Sequence, residues 1–260
     1  MAETTRGLRR TTPLTGAAAL VALVLLAACS PLRSPLWTAS ATGDRYGSAF
    51  LTRDGGDYIQ VQGVSTGVHT QALPTNEESN TRAVFWPKGV HASTDGESCA
   101  TWSGRQGDAA QQGAALRVTR ADGRVRAVTV TQNILFGMGW VFNVHTWDTA
   151  RRGDPWDLAG RVDLSATFFS QQRPMPWSFC ARVIGDVVEM KVWESDVEPE
   201  PQWGDPYHGG DVTLPPGWRY PGQVGWYIGH LRGGDHADFL GTSTWTYDPQ
   251  RSRTRVAAGG

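Results

Sequence analysis

Runs of residues with strand character recur from residue 114 onward, between short stretches rich in glycine, aspartate and proline. Their hydrophobic and polar residues tend to alternate at a period of two, which is typical of half-buried β-strands. Two of the separating turns read Asp122-Gly123 and Gly185-Asp186, and such pairs tolerate the positive φ angles that two-residue hairpin loops require. The pattern predicts strands at residues 114–120, 125–132, 140–147, 162–169, 178–184, 187–193, 225–231 and 239–247.

The alternation also assigns side chains to the two faces of a strand, because neighbouring side chains point in opposite directions. In two of the predicted strands one face is apolar and the other mixes polar with aromatic residues. One buried face and one mixed face per strand is what a sandwich of two antiparallel sheets produces. The mixed faces carry Asn143, His145 and Trp147 in residues 140–147, and Glu189, Lys191 and Trp193 in residues 187–193.

Prolines interrupt the strand pattern between residues 195 and 221. Because proline has no amide hydrogen to donate to a sheet, this segment is expected to connect strands rather than to join a sheet. The chain from residue 44 to residue 248 has a length that suits one large β domain better than two small ones. We therefore expect a β-sandwich domain over residues 44–248 and a disordered polar tail at residues 249–260.

Three segments of the C-terminal half follow one another as residues 189–193 (EMKVW), 198–203 (EPEPQW) and 222–229 (GQVGWYIG). Together they resemble the closing half of the concanavalin A-like (laminin G-like) jelly-roll modules of bacterial exported proteins. The resemblance implies an all-β fold, a two-sheet antiparallel jelly-roll sandwich. It implies no single function, because lectins, hydrolases and adhesion modules share this fold.

Residues 1–28 have the three zones of an export signal peptide, which are a basic start, an apolar run at residues 14–28 and a cleavage site. The apolar run is shorter than the roughly 20 residues that a membrane-spanning helix needs, so we expect cleavage. The sequence LAAC at residues 26–29 resembles the lipobox of bacterial lipoproteins, which implies acylation (palmitate) of Cys29. Residues 29–43 are then a lipidated tether, and the protein is expected on the extracytoplasmic side of a membrane of the cell envelope.

The two remaining cysteines, Cys99 and Cys180, have no second cysteine or histidine at metal-ligand spacing. Export would place them in an oxidising compartment, so we predict that they form a disulfide, with two buried free thiols as the alternative. No metal or other cofactor is expected. The formal net charge of −1 offers no basic field for nucleic acid, and the sequence does not indicate an oligomeric state.

One enzymatic interpretation rests on Glu194, Asp196 and Glu198, whose spacing fits the E-x-D-x-E pattern of laminarinase- and lichenase-type glycoside hydrolases. In those enzymes the carboxylates share one face of a strand, and two of them act as nucleophile and acid/base about 5 Å apart. Pro199 and Pro201 follow at once in this chain, which favours a solvated strand end instead. Glycoside hydrolysis therefore remains the alternative hypothesis.

The favoured interpretation is a non-catalytic sandwich that binds carbohydrate or another envelope component. Sugar recognition needs aromatic rings for the apolar faces of pyranoses and polar side chains for their hydroxyl groups. A glycan is therefore the candidate ligand. Two competing hypotheses are that the tryptophans only pack and that the protein is purely structural. The candidate binding residues are Arg117, Asn143, His145, Trp147, Arg182, Glu189, Lys191 and Trp193.

Overall fold

The computed structural model describes residues 46–77, 80–133, 140–168 and 175–247, and these residues form two antiparallel β-sheets. The strands are β1 (Tyr46–Thr52), β2 (Ile59–Val64), β3 (Gly67–Ala72), β4 (Arg82–Pro87), β5 (Asp95–Gln106), β6 (Gln111–Ala121), β7 (Arg124–Gln132), β8 (Val141–Asp148), β9 (Trp156–Asp163), β10 (Trp177–Ile184), β11 (Val187–Trp193), β12 (Gly209–Thr213), β13 (Gln223–Gly229) and β14 (His236–Tyr247). One helical turn, α1 (Ser165–Phe168), follows β9.

The strand order shows a jelly-roll sandwich, as expected. The front sheet has the order β1-β4-β13-β6-β7-β8-β9, and the back sheet has the order β12-β11-β10-β5-β14-β3-β2. In both sheets, strands that are distant in sequence lie side by side, such as β13 between β4 and β6 or β5 between β10 and β14. These long connections are typical of jelly rolls and distinguish them from simple up-and-down sandwiches.

The main core lies between the sheets and is rich in aromatic side chains. Trp102 stacks on Phe179 with 5.1 Å between ring centroids, and Trp140 meets Trp177 edge to face at 4.8 Å. Each large aromatic side chain removes about 150–250 Å² from water, so these rings dominate the burial. Several tryptophans are therefore used for packing and offer no ring face to a ligand; the fully buried ones are Trp102, Trp140, Trp177 and Trp226.

A second, smaller hydrophobic cluster lies on the outward face of the front sheet. It contains Leu51, Val84, Ala127, Trp147 and Tyr227, all of them buried. A sheet face that pointed into open solvent would not bury such residues. The outward face of the front sheet is therefore partly apolar and screened by its own large side chains.

The hairpin predictions are confirmed at both turns. Asp122 and Gly123 join β6 to β7 with φ angles of 50° and 78°, as a type I′ turn requires. Gly185, with φ of 59°, begins the turn between β10 and β11. The bounds of β11 agree with the prediction for residues 187–193.

The predicted disulfide is also confirmed. Cys99 on β5 and Cys180 on β10 lie directly opposite each other in the back sheet, with sulfur atoms 2.02 Å apart. The bond therefore joins two neighbouring central strands of that sheet.

Two strand predictions were wrong. Residues 162–169 are not one strand, because β9 ends at Asp163 and α1 follows; the Asp163 carboxylate accepts the backbone N–H of Ser165 at 2.9 Å and so favours the turn. The segment at 195–221 does contain a strand, since β12 pairs with the edge of β11. It fits there because Pro206 and Pro215 flank β12 without interrupting it.

The pattern identified no individual strand before residue 114, where the structure has β1 to β5 within the expected β-sandwich domain. The predicted signal peptide, the lipidation site Cys29, the tether at 29–43 and the tail at 249–260 lie outside the described residues. Within the described residues, no helix has the length and apolar character needed to cross a membrane.

Candidate ligand-binding pocket on the front sheet

A pocket of about 250 Å³ opens on the outward face of the front sheet, above strands β8 and β9. Side chains of β4, β6 and β13 complete its walls. Arg82 on β4 and Trp147 on β8 are separated by four strand spacings, about 19 Å along a flat sheet. Their guanidinium carbon and ring centroid nevertheless lie only 5.9 Å apart. Side chains from distant strands therefore converge over this face and enclose the pocket.

The pairing of β8 with β9 fixes the positions of several pocket residues. Trp147 lies opposite Trp156, and Asn143 lies opposite Arg161. Leu158 and Arg161 are three positions apart, which would place them on opposite faces of a regular strand. The pairing of β8 with β9 contains a bulge between the Trp147–Trp156 and Asn143–Arg161 pairs. This bulge brings the side chains of both Leu158 and Arg161 to the pocket.

Two tryptophans in the pocket have different roles. Trp147 is only 2% exposed, and its indole N–H donates to the hydroxyl of Thr129 at 2.8 Å, so it forms the floor. Trp156 is 36% exposed and stands at the rim. The imidazole of His145 meets Trp156 edge to face, with 5.1 Å between ring centroids. Trp156 is therefore the ring that can offer a free face to a ligand.

Amide groups line the deeper part of the pocket. The hydroxyl of Tyr227 donates to Oε1 of Gln111 at 3.1 Å, and Nε2 of Gln111 donates to the carbonyl of Gln132 at 2.5 Å. These groups satisfy one another. Asn143 differs, because it is buried and its Oδ1 has no hydrogen-bond partner among the described residues. Buried polar atoms are nearly always paired, so this oxygen is suited to accept a hydrogen bond from a ligand or from water.

The pocket carries positive charge. Arg82 and Arg161 line it together with His145 and His230, and no described lining residue is acidic. Burial lowers the pKa of His145 to about 4, and the nearby charges of Arg82 and Arg161 act in the same direction. The imidazole of His145 is therefore neutral at neutral pH, and the two guanidinium groups are positively charged.

Of the predicted binding residues, Asn143, His145 and Trp147 do lie together in this pocket. Glu189, Lys191 and Trp193 were predicted to join them, but β11 belongs to the back sheet. The eight residues therefore do not form one site.

On the back sheet these side chains bind the proline-rich segment. Lys191, buried at 3% exposure, places its Nζ 2.6 Å from the carboxylate of Glu200 and 2.7 Å from the carbonyl of Pro201. The ring of Trp203 contacts both Arg182, at 4.3 Å, and Lys191, at 4.7 Å. Such cation–π contacts fix the segment against the sheet. Arg182 also pairs with Glu189 at 2.5 Å, so the charged groups of this face already have partners within the chain.

Arg117 was expected to add to a binding face, and the structure places it in the interior instead. Its side chain is fully buried and donates to the carbonyl oxygens of Thr94, at 2.7 Å, and Trp218, at 2.6 Å, and to that of Gly185. Asp95 lies 3.6 Å away and supplies the counter-charge. This arginine therefore connects three loops and is not accessible to a ligand.

The E-x-D-x-E pattern does not lie on a strand. Glu194, Asp196 and Glu198 form a turn after β11, in which the N–H of Glu198 donates to the carbonyl of Glu194. The Glu198 carboxylate accepts the N–H of Glu194 at 2.9 Å and contacts His208 at 3.1 Å. Asp196 is exposed. The strand-face arrangement of the glycoside hydrolase pattern is therefore contradicted.

Most of the pocket was not identified from the sequence. The alternation of side chains along β13 could have identified Tyr227 as a pocket residue. The part of β9 that lines the pocket was missed because its bulge breaks the period of two between Leu158 and Arg161. The residues that the sequence prediction missed are Arg82, Gln111, Asn133, Trp156, Leu158, Arg161, Tyr227 and His230.

No protein-family model matches the sequence, and no curated protein matches it significantly. Solved structures match in fold. A protein of unknown function with a galectin-like fold from Bacillus subtilis has a TM-score of 0.51 and 9% identity, over 82% of this chain and 96% of that chain. The carbohydrate binding module CBM66 from Bacillus subtilis has a TM-score of 0.47 and 8% identity, over 79% and 99% of the two chains. The VIP36 exoplasmic/lumenal domain, bound to Ca²⁺ and Man3GlcNAc, has a TM-score of 0.45 and 12% identity, over 76% and 88%. At these identities the likeness concerns the fold, and the first match supports the jelly-roll assignment.

Proposed function

We propose that the domain binds a carbohydrate in the front-sheet pocket without converting it chemically. The observation that carries the proposal is the combination, in one pocket, of the exposed ring of Trp156 and the buried oxygen of Asn143, which has no partner in the described part of the chain. A pyranose has an apolar face that packs on an aromatic ring and hydroxyl groups that donate to a buried acceptor. The guanidinium groups of Arg82 and Arg161 supply donors for the sugar oxygens.

Binding is favoured over hydrolysis by the charge of the pocket. Glycoside hydrolysis uses two carboxyl groups about 5 Å apart in retaining enzymes and about 6.5–9.5 Å apart in inverting enzymes. The described residues that line the pocket include no aspartate or glutamate. Glu194 and Glu198, the alternative catalytic pair, lie in a turn after a back-sheet strand.

A glycan array probed with the purified protein tests the proposal, followed by titration of the best-bound glycan. Replacing Trp156 by alanine should weaken binding about two- to thirteenfold, because an aromatic contact contributes about 0.5–1.5 kcal/mol. Tyr207→Ala is the matched control, since Tyr207 is an aromatic residue that is 68% exposed and lies outside the pocket. Equal binding by the parent and Trp156→Ala would contradict the proposal, and so would the absence of any bound glycan.

We also propose that the protein is exported and anchored to a membrane of the cell envelope through lipid on Cys29. The support is the signal-peptide pattern of residues 1–28 and the lipobox-like sequence at 26–29. A single acyl chain holds a protein only marginally, but two or more hold it stably. The pocket would then be displayed at the cell envelope.

A further inference from the structure

We propose that the sugar bound in the front-sheet pocket is acidic, carrying a carboxylate or a sulfate group. This inference rests on the proposed function and specifies the class of carbohydrate. It starts from the charges that face the pocket, which are two arginines and no carboxylate among the described lining residues.

The two guanidinium groups approach the pocket from different strands. Arg82 comes from β4 and Arg161 comes from β9, the edge strand of the front sheet. Both act on the ring of His145, since both depress the pKa of this histidine. The two positive charges therefore act on the same small volume.

Neither charge is neutralised by a neighbouring carboxylate in the described part of the chain. Arg82 donates to the hydroxyl of Thr52, at 3.1 Å, and to the carbonyl and side-chain oxygens of Asn80, at 3.0 and 2.5 Å, all of which are uncharged groups. Arg161 is exposed and lies opposite Asn143 in the β8–β9 ladder. By contrast, Arg182 on the back sheet is paired with a carboxylate.

The positive pocket does not simply reflect a basic protein, because the formal net charge of the chain is −1. A guanidinium binds carboxylate and sulfate oxygens with paired, charge-assisted hydrogen bonds, which are about twice as strong as neutral ones. A neutral sugar has no anionic group that could accept such charge-assisted hydrogen bonds from the two arginines. An acidic sugar would place its anionic group between the two arginines and a hydroxyl group against Asn143.

The test uses the full chain on an array that carries neutral, uronic-acid and sulfated glycans. Each bound uronic-acid glycan is then compared with its carboxyl-reduced form, and each bound sulfated glycan with its desulfated form. These pairs keep length and linkage and differ in charge. We expect the acidic member of a pair to bind at least about tenfold more tightly and this difference to shrink as sodium chloride is raised from about 20 to 500 mM. The two arms distinguish carboxylate from sulfate.

Arg161→Gln is the informative variant, because Arg161 is exposed and its loss does not threaten the fold. It should weaken binding of the acidic glycan about tenfold and leave its neutral counterpart unaffected. Arg120→Gln is the matched control, since Arg120 is also exposed and on the front sheet but does not line the pocket.

The inference is overturned if neutral and acidic members bind equally, or if Arg161→Gln behaves like Arg120→Gln. In that case the proposed function still stands when Trp156→Ala weakens binding of the neutral glycan. If no glycan of any class binds, the proposed function itself fails. The two failures are therefore distinguishable.

Discussion

Replacing Arg117 by methionine should destabilise the domain strongly without affecting the pocket directly. Methionine fills a similar volume but removes the donors that bind the carbonyl oxygens of Thr94, Trp218 and Gly185. It also leaves Asp95, which is 5% exposed, without its counter-charge. The three loops that Arg117 connects would lose their shared hydrogen-bond donor at the same time.

The magnitude follows from these contacts. A hydrogen bond to a charged group contributes about 1.5–3 kcal/mol, and breaking a buried ion pair by removing one partner costs about 3–5 kcal/mol. These contributions overlap, because the orphaned carbonyl groups lie in loops and can partly regain water. We expect a loss of about 4 kcal/mol, which for a domain of about 200 residues lowers the melting temperature by about 10 °C.

Urea unfolding followed by tryptophan fluorescence measures this loss, and thermal unfolding followed by circular dichroism provides an independent value. Arg151→Met is the control, since Arg151 forms an exposed pair with Asp157 and should leave the midpoint almost unchanged. Arg117→Lys should fall between parent and methionine variant, because lysine keeps the charge but cannot reach three acceptors in different directions. A methionine variant within about 1 kcal/mol of the parent would refute the reasoning. A variant that remains stable and loses glycan affinity would instead support a direct role of Arg117 in binding.

Two further predictions concern pH and anchoring. Because the pKa of folded His145 is about 4 and its ordinary value is 6.5, the unfolded chain binds a proton first, and stability should fall by about 3 kcal/mol between pH 6.5 and 4. The His145→Asn variant should lose this pH-dependent part of the stability when both proteins are unfolded with urea at a series of pH values. The other titratable groups that line the pocket are Tyr227, His230 and the two arginines. Parallel plots of stability against pH for parent and variant would contradict the prediction. Cys29→Ala should abolish incorporation of labelled fatty acid and leave precursor or released protein, whereas unchanged membrane binding and processing would contradict lipidation.

The sequence predicted the arrangement within strands better than the arrangement between them. Alternation correctly placed Asn143, His145 and Trp147 on one face of β8, because side-chain direction is a local property of an extended chain. It could not show that Glu189 and Lys191 belong to the other sheet. Sheet membership depends on pairing between strands that are distant in sequence, and period-two patterns carry no information about partners.

The sequence also did not show which polar residues are buried. Arg117 looked like a surface residue, since arginine is seldom fully buried. Its burial depends on three carbonyl groups from distant loops meeting at one point, which no local pattern reveals. Trp156 was missed because the register shift in β9 hides its alternation. The hairpin turns were predictable because the positive φ angles that they require are favoured by particular residue types. The disulfide was predictable because Cys99 and Cys180 are the two cysteines left after Cys29, in a chain whose export was expected.

The disulfide has a consequence for how the domain withstands damage. Strands β6, β7, β8 and β9 all lie in the chain between Cys99 and Cys180, and these strands supply most of the pocket. The exposed turn at Arg151 and Arg152 between β8 and β9 is the kind of site that proteases cut. A cut there leaves both fragments covalently joined through the centre of the back sheet. The two fragments can therefore stay together and keep the pocket assembled.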